Sequence, residues 1–206
     1  MKMEVGKPFE STFIILYALS YIFLVLALLS AYTLGAVQLQ AYASVYLAML
    51  TTALFFMRGI EKPTNLTKGL LFGVPSLFII SAVSRYIREA WNIHITATMQ
   101  ASSIVAPTLL LSLIMNIAGP TAEEGFFRIG LINMLKPIMG ETWAVITQAA
   151  IFGVYHYYAY QMDILAMITA TIAGLALGII YTKTGSETAI TLSHQIYNIV
   201  TVLMGS

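Results

Sequence analysis

The stretch Ala122-Glu123-Glu124-Gly125-Phe126-Phe127-Arg128 sets two adjacent carboxylates and a guanidinium inside an otherwise apolar run from Pro107 to Leu135. A charge at the centre of a bilayer costs at least about 2.5–3.5 kcal/mol even on lenient insertion scales. Three charges within six residues are therefore hard to explain as packing. Glu124 and Arg128 are four apart, so on a helix they share a face and neutralise one another. Glu123 points about 100° away from Glu124 and has no partner on its own helix. One carboxylate is left to face another part of the chain.

The surroundings are those of a membrane protein. Of 206 residues 59% are hydrophobic and 9% charged, against a usual quarter charged. Mean hydropathy is +0.84. Such a chain cannot cover its surface with polar groups, and the expected fold is all-α, a polytopic bundle of about seven transmembrane helices in a single domain over residues 1–206. A net charge of +1 argues against nucleic acid as a partner, and the lack of cysteine removes disulfides, thiolate metal sites and a cysteine nucleophile. The first apolar run, after Pro8, is too long for a signal-peptide core and reads as a retained span.

In chain order the expected spans are 11–34, 41–57, 68–84 with Pro75 as a kink, 107–135, 142–160, 162–182 and 186–204. Gly35 to Gln40 reads as a turn, residues 59–65 as a polar loop with Thr64 or Asn65 capping the next helix, and Arg85 to Ser103 as an amphipathic surface connector containing His94. The fourth span, about 43 Å long, exceeds the ~30 Å hydrocarbon core, and Gly119-Pro120 is expected to kink it just before the glutamates. Residues 136–141 read as a loop, and Glu141, Lys183 and Glu187 as ordinary loop charges. With a cytoplasmic N-terminus, Lys2, Lys7, Arg58, Lys62, Lys68, Lys136 and Lys183 lie inside and only Arg85 and Arg88 outside, which is the positive-inside bias of a multi-pass protein of the cell membrane.

Two later spans carry polar pairs: Phe152 with His156, and His194 with Asn198, each four apart and so on one helix face. Counted from the cytoplasmic ends at ~1.5 Å per residue, Glu123 lies about 20 Å deep, His156 about 22 Å, and His194 and Asn198 about 12 and 18 Å. Three helices thus bring polar groups to a similar level.

Glu-Glu-x-x-x-Arg, Phe-x-x-x-His and His-x-x-x-Asn on three apolar helices resemble the CAAX-protease and bacteriocin-processing family of intramembrane proteases (CPBP, Abi or Rce1-like). Gly-Pro before the glutamates, Phe-Gly before the histidine, and Gly174 and Gly178 between them fit as well. The similarity covers a catalytic core over 109–200, and residues 1–106, the N-terminal spans and connector, carry none of these motifs. Ile129 precedes Gly130 where the family usually has glycine directly after the arginine.

The resemblance implies an intramembrane endopeptidase that hydrolyses a peptide bond near the membrane surface. Glu123 would be the general base on water shared with His156, His194 and Asn198 would hold the oxyanion, and Glu124 with Arg128 would be a supporting pair. The substrate would be a peptide or protein C-terminus, with or without a lipid, met at the bilayer. Spacing alone does not choose between Glu123 and Glu124 as base. The sole aspartate, Asp163, rules out an aspartate pair, and neither His-Glu-x-x-His nor Gly-x-Ser-x-Gly occurs. No cofactor is expected under this reading. A zinc protease using Glu123, His156 and His194 is an alternative, and so is a non-catalytic immunity or binding protein. Taken singly, the Glu124–Arg128 pair could be structural, His156 a core histidine, His194 and Asn198 interhelical glue, and Phe152 packing beneath the site. The tyrosines at 155, 157, 158 and 160 read as an aromatic belt, with Tyr155 or Tyr157 as candidate groove residues.

Overall fold

The structure is a computed structural model and describes residues 12–33, 35–57, 63–91, 109–160 and 162–204. Among the described residues every regular element is helical: α1 (Thr12–Thr33), α2 (Val37–Ala53), α3 (Pro63–Ala90), α4 (Leu109–Glu124), a π-helical segment (Gly125–Leu131), α5 (Ile132–Ala159), α6 (Ile164–Thr184) and α7 (Glu187–Leu203). Three are long and apolar enough to cross a membrane by length and composition, over Ile14–Thr33, Thr64–Ala90 and Ile164–Thr184. Helices α2 and α7 have 17 residues each, and α4 runs on without interruption through the π-helical segment into α5 as far as Gly140.

The α1–α2 hairpin packs on α4 and the π-helical segment, α4 packs along α7, α3 packs on α6 and α7, and α5 pairs with α6. Lipid tails supply no hydrophobic drive between helices, so close approach of backbones through small side chains has to do that work. Two seams show it. On α3, a Cβ at Gly69 would overlap Ala189, and one at Gly73 would overlap Ser193, the neighbour of His194 on α7. Between α5 and α6, a Cβ at Gly174 would stand 3.2 Å from the Ala149 Cα, and one at Gly178 2.7 Å from the Gln148 amide nitrogen. The Gln148 amide donates to the Gly174 carbonyl at 2.8 Å across that seam.

Several expected boundaries shift. Helix α3 starts at Pro63, whose fixed φ suits a first turn, so Thr64 and Asn65 lie inside that turn rather than before it. It runs through Pro75 to Ala90, so Arg85, Arg88 and Glu89 extend α3 instead of beginning a connector. His94, Pro107 and the rest of that connector lie outside the described residues. The turn expected over Gly35 to Gln40 is shorter, since α2 begins at Val37.

Helical structure continues through Gly119-Pro120, and the departure from α-geometry comes later, in the π-helical segment. That wide turn closes where side chains are missing: a Cβ on Gly130 would stand 3.3 Å from the Gly125 carbonyl oxygen. The loop expected over 136–141 is a one-residue break at Gly140, with φ 82° and ψ 164°, a conformation that costs glycine little. Lys136 and Glu141 pair across it at 2.5 Å. Past Gly140 the chain folds back along the π-helical segment and seats Phe152 on Phe127, ring centroids 4.9 Å apart. Glu187 is no loop charge: it is buried in the first turn of α7, where a carboxylate complements the helix dipole.

The α3–α7 seam gives a direct test. Gly73→Leu forces α7 outward and should destabilise the protein by about 1–3 kcal/mol, the usual range for overpacking. Leu71→Ala, on a face 66% exposed in the structure, should leave the detergent-solubilised thermal midpoint within a degree or two of wild type.

Candidate active site

The centre of the site is a charge cluster between α4, the π-helical segment and α7. Arg128 is wholly buried, and its Nε lies 3.2 Å from Glu124 Oε2. Its guanidinium also sits 4.0 Å above the Phe152 ring and 6.0 Å from the Phe127 ring, so quadrupoles share in solvating the cation. The second Glu124 oxygen, Oε1, lies 2.8 Å from His194 Nδ1. A carboxylate already paired with a guanidinium can only accept, so Nδ1–H of His194 donates to it.

The other ring nitrogen of His194, Nε2, faces Glu123 Oε2 at 3.9 Å. The two glutamates point in different directions from one helix, yet the imidazole lies between them and meets both. Glu123, 6% exposed, turns inward from lipid. Its Oε1 accepts a hydrogen bond from the Tyr46 hydroxyl on α2 at 3.3 Å.

His156 enters from α5. Its Nδ1–H donates to the Phe152 carbonyl one turn earlier at 3.0 Å, since a carbonyl only accepts. In neutral His156 this leaves Nε2 as an acceptor, and Glu123, His194 and Arg128 are the charged or titratable groups in electrostatic reach. Its ring stacks 4.2 Å from Phe152 and 5.6 Å from Tyr160. Phe152 is thus more than packing beneath the site: it touches Arg128, His156 and Phe127, and its centroid lies 6.4 Å from that of His194.

Of the six side chains singled out in the sequence, Glu123, Glu124, Arg128 and His194 form one contact network, and His156 joins through Phe152. Asn198 lies one turn beyond His194 on α7, half-buried, and its side chain hydrogen-bonds none of the other five. Three further groups had no motif to announce them. Tyr46 comes from the N-terminal half. Tyr155, read as part of an aromatic belt and as a candidate groove residue, packs against Phe127 and His156. Gln195 donates to the Ile117 carbonyl and to Thr121 Oγ1, both at 2.9 Å, and Ser20 donates to the same Thr121 oxygen at 3.0 Å, which ties α7 and α1 to α4 just before the glutamates.

Among the described residues no three His, Cys, Asp or Glu side chains are placed to share one metal ion. In both histidines Nδ1 is taken up, on Glu124 for His194 and on a backbone carbonyl for His156, which leaves Nε2 as the accepting or coordinating nitrogen of each ring.

Removing one partner of a buried ion pair strands the other. Arg128→Met should therefore cost about 3–5 kcal/mol. The double variant Arg128→Met with Glu124→Gln should recover part of that loss in denaturant unfolding from micelles. A double variant no better than Arg128→Met alone would show that Glu124 is not the stranded charge.

The comparisons with known proteins bear on the same stretch of chain. No curated protein and no solved structure matches the sequence. One family model does, described as type II CAAX prenyl endopeptidase Rce1-like, over residues 105–200, a segment that includes all six motif side chains. That segment, and with it the buried carboxylate–imidazole cluster, is similar to the Rce1-like family of membrane proteases.

Proposed function

We propose that this protein is an intramembrane endopeptidase in which Glu123 is the general base. The observation that carries this reading is the unequal commitment of the two carboxylates. Glu124 accepts from His194 at Oε1 and sets Oε2 3.2 Å from the Arg128 guanidinium as an ion pair, whereas Glu123 Oε2 faces His194 Nε2 only at 3.9 Å. In the proposed step, Oε2 takes a proton from water that is also held by Nε2 of His156. The water oxygen attacks the peptide carbonyl, and the proton passes on to the leaving amine as the C–N bond breaks.

The developing oxyanion needs donors, each worth about 2.7–4 kcal/mol in other enzymes. Asn198 and Nε2 of His194 take that role here. Because Nδ1–H of His194 is given to Glu124, the ring donates from Nε2 only when it carries a second proton.

The proposed topology has seven crossings with the N-terminus in the cytoplasm. It is supported by the way charges gather at the two ends of the bundle. Lys136, Glu141 and Lys183 meet at one end, and Arg88 pairs with Asp163 at 2.5 Å at the other. The substrate is a C-terminal peptide presented at the membrane, which fits a family described by prenylated CAAX tails.

Purified protein in micelles or liposomes, assayed on prenylated and unprenylated CAAX-type peptides, tests the reading. Glu123→Gln should lower kcat by about 10²–10⁴-fold, the range for losing a general base, while the thermal midpoint stays near wild type. Full activity in Glu123→Gln would remove Glu123 from the chemistry. Dialysis against a chelator should leave turnover unchanged, and loss restored by zinc would favour a metal-bound water instead.

A further inference from the structure

The Glu123 carboxylate has two oxygens with different surroundings, and the difference comes from a helix outside the matched segment. Oε2 faces His194, while Oε1 is held by the hydroxyl of Tyr46 at 3.3 Å. Tyr46 lies on α2, 77 positions from Glu123 in sequence. Its ring has a fitted seat. Gly119, one helical turn before Glu123, is the site where a Cβ would stand 3.3 Å from both the hydroxyl oxygen and the ring carbon that bears it. A side chain at 119 would press on the hydroxyl end of that ring, which would have to give by a few tenths of an ångström. Tyr155 on α5 is hydrogen-bonded to the same hydroxyl, and since the single Tyr46 proton goes to Glu123, Tyr155 is the donor of that second bond, so the phenol is fixed from α4 and from α5.

We infer that Tyr46 is a positioning residue for Glu123: it holds Oε1 and so leaves Oε2 as the oxygen that receives the proton from water, with Gly119 as the notch that admits its ring. A carboxylate free to rotate would present either oxygen, and a misoriented base loses rate without losing affinity. Tyr46 touches no reacting atom in this account and acts only through Glu123. The inference rests on the reading of Glu123 as base, but the hydrogen bond itself does not.

Two measurements on the full chain in micelles separate these points. The first needs no substrate: thermal midpoints of wild type, Tyr46→Phe, Glu123→Ala and their double variant form a cycle, with Ala chosen because Gln would still offer an oxygen to the phenol. A real bond makes the two losses non-additive, so that the double variant falls little below the lower single one. Additive losses would overturn the inference.

The second is turnover of a CAAX-type peptide. Tyr46→Phe keeps the ring and removes the donor, and should lower kcat by about 10–150-fold at unchanged KM, as expected for one hydrogen bond to a charged group. Gly119→Ala should lower kcat in the wild-type background but by less than about twofold in Tyr46→Phe, because the bond it disturbs is already gone. If Glu123→Gln is inactive while Tyr46→Phe keeps its kcat, or raises KM instead, this inference fails and the proposed base stands. If Glu123→Gln stays active, the proposed base fails, and the stability cycle still decides whether Tyr46 holds the carboxylate.

Discussion

A guanidinium shut away from water must be neutralised by the protein itself, and the rest of the site follows from how Arg128 solves that problem. It takes one oxygen of Glu124 and two aromatic faces. Glu124 is then fixed as an ionised acceptor, and its remaining oxygen fixes the proton of His194 on Nδ1. With that nitrogen occupied, the other must face away, towards Glu123. One ion pair thereby sets the orientation of a histidine on a helix 70 residues further along the chain. It also sets which of two adjacent glutamates is left with an open oxygen. Burial makes this chain of consequences stiff, because breaking any link leaves an uncompensated charge in low dielectric.

Chemistry of this kind needs side chains held to a fraction of an ångström, and in a bundle of apolar helices the precision comes from backbone contact rather than from loops. Ser193, next to His194, is pressed against Gly73 of α3, so α7 cannot slide without a clash. Phe152 and His156 ride on α5, which is locked to α6 by Gly174 and Gly178 and by the Gln148 bond across the seam. Gln195 adds a polar tether from α7 to the carbonyl of Ile117, two turns before Glu124. Small residues and a few polar contacts therefore do the positioning at these seams, while bulky apolar residues such as Leu71, Phe72 and Ile179 lie on exposed faces of the bundle.

What the sequence disclosed and what it hid divide along a physical line. Charges in an apolar helix are legible because their cost is large whatever their neighbours, so Glu123, Glu124 and Arg128 stand out at once. A four-residue spacing is legible because helix geometry is local, which gave the Glu124–Arg128 pair and placed His194 and Asn198 on one face. The α1, α6 and α7 limits came within a few residues for the same reason. Contacts that depend on how two helices cross were not legible. Tyr46 is one of several tyrosines on half-exposed helices, and nothing in its neighbourhood marks it as the partner of a glutamate. Phe152 was visible as a motif residue but not as the ring that Arg128 and His156 both use. The break at Gly140 was hidden because a polar run, Lys136 to Glu141, reads as a loop even where one glycine with positive φ is enough to turn the chain. Glu187 was misread for the converse reason: beside a glycine and a lysine it looks like a surface charge, yet the helix packing buries it.

The two glutamates show most clearly why geometry adds something that residue type cannot. They are identical, consecutive and on one helix, and any argument from composition treats them alike. About 100° of rotation puts one beside a guanidinium in the interior and the other beside a tyrosine and an imidazole edge. Pairs of titratable groups acquire separate roles when their environments differ in this way. The inner carboxylate is a fixed charge that orients and balances. The outer one, held at a single oxygen by a neutral phenol, keeps a lone pair available without surrendering it to a cation. Had Arg128 been set one residue earlier on the same helix, it would have faced Glu123 at the four-residue spacing and taken up that lone pair. The spacing Glu-Glu-x-x-x-Arg therefore gives the arginine its partner in Glu124 and leaves Glu123 to groups on other helices.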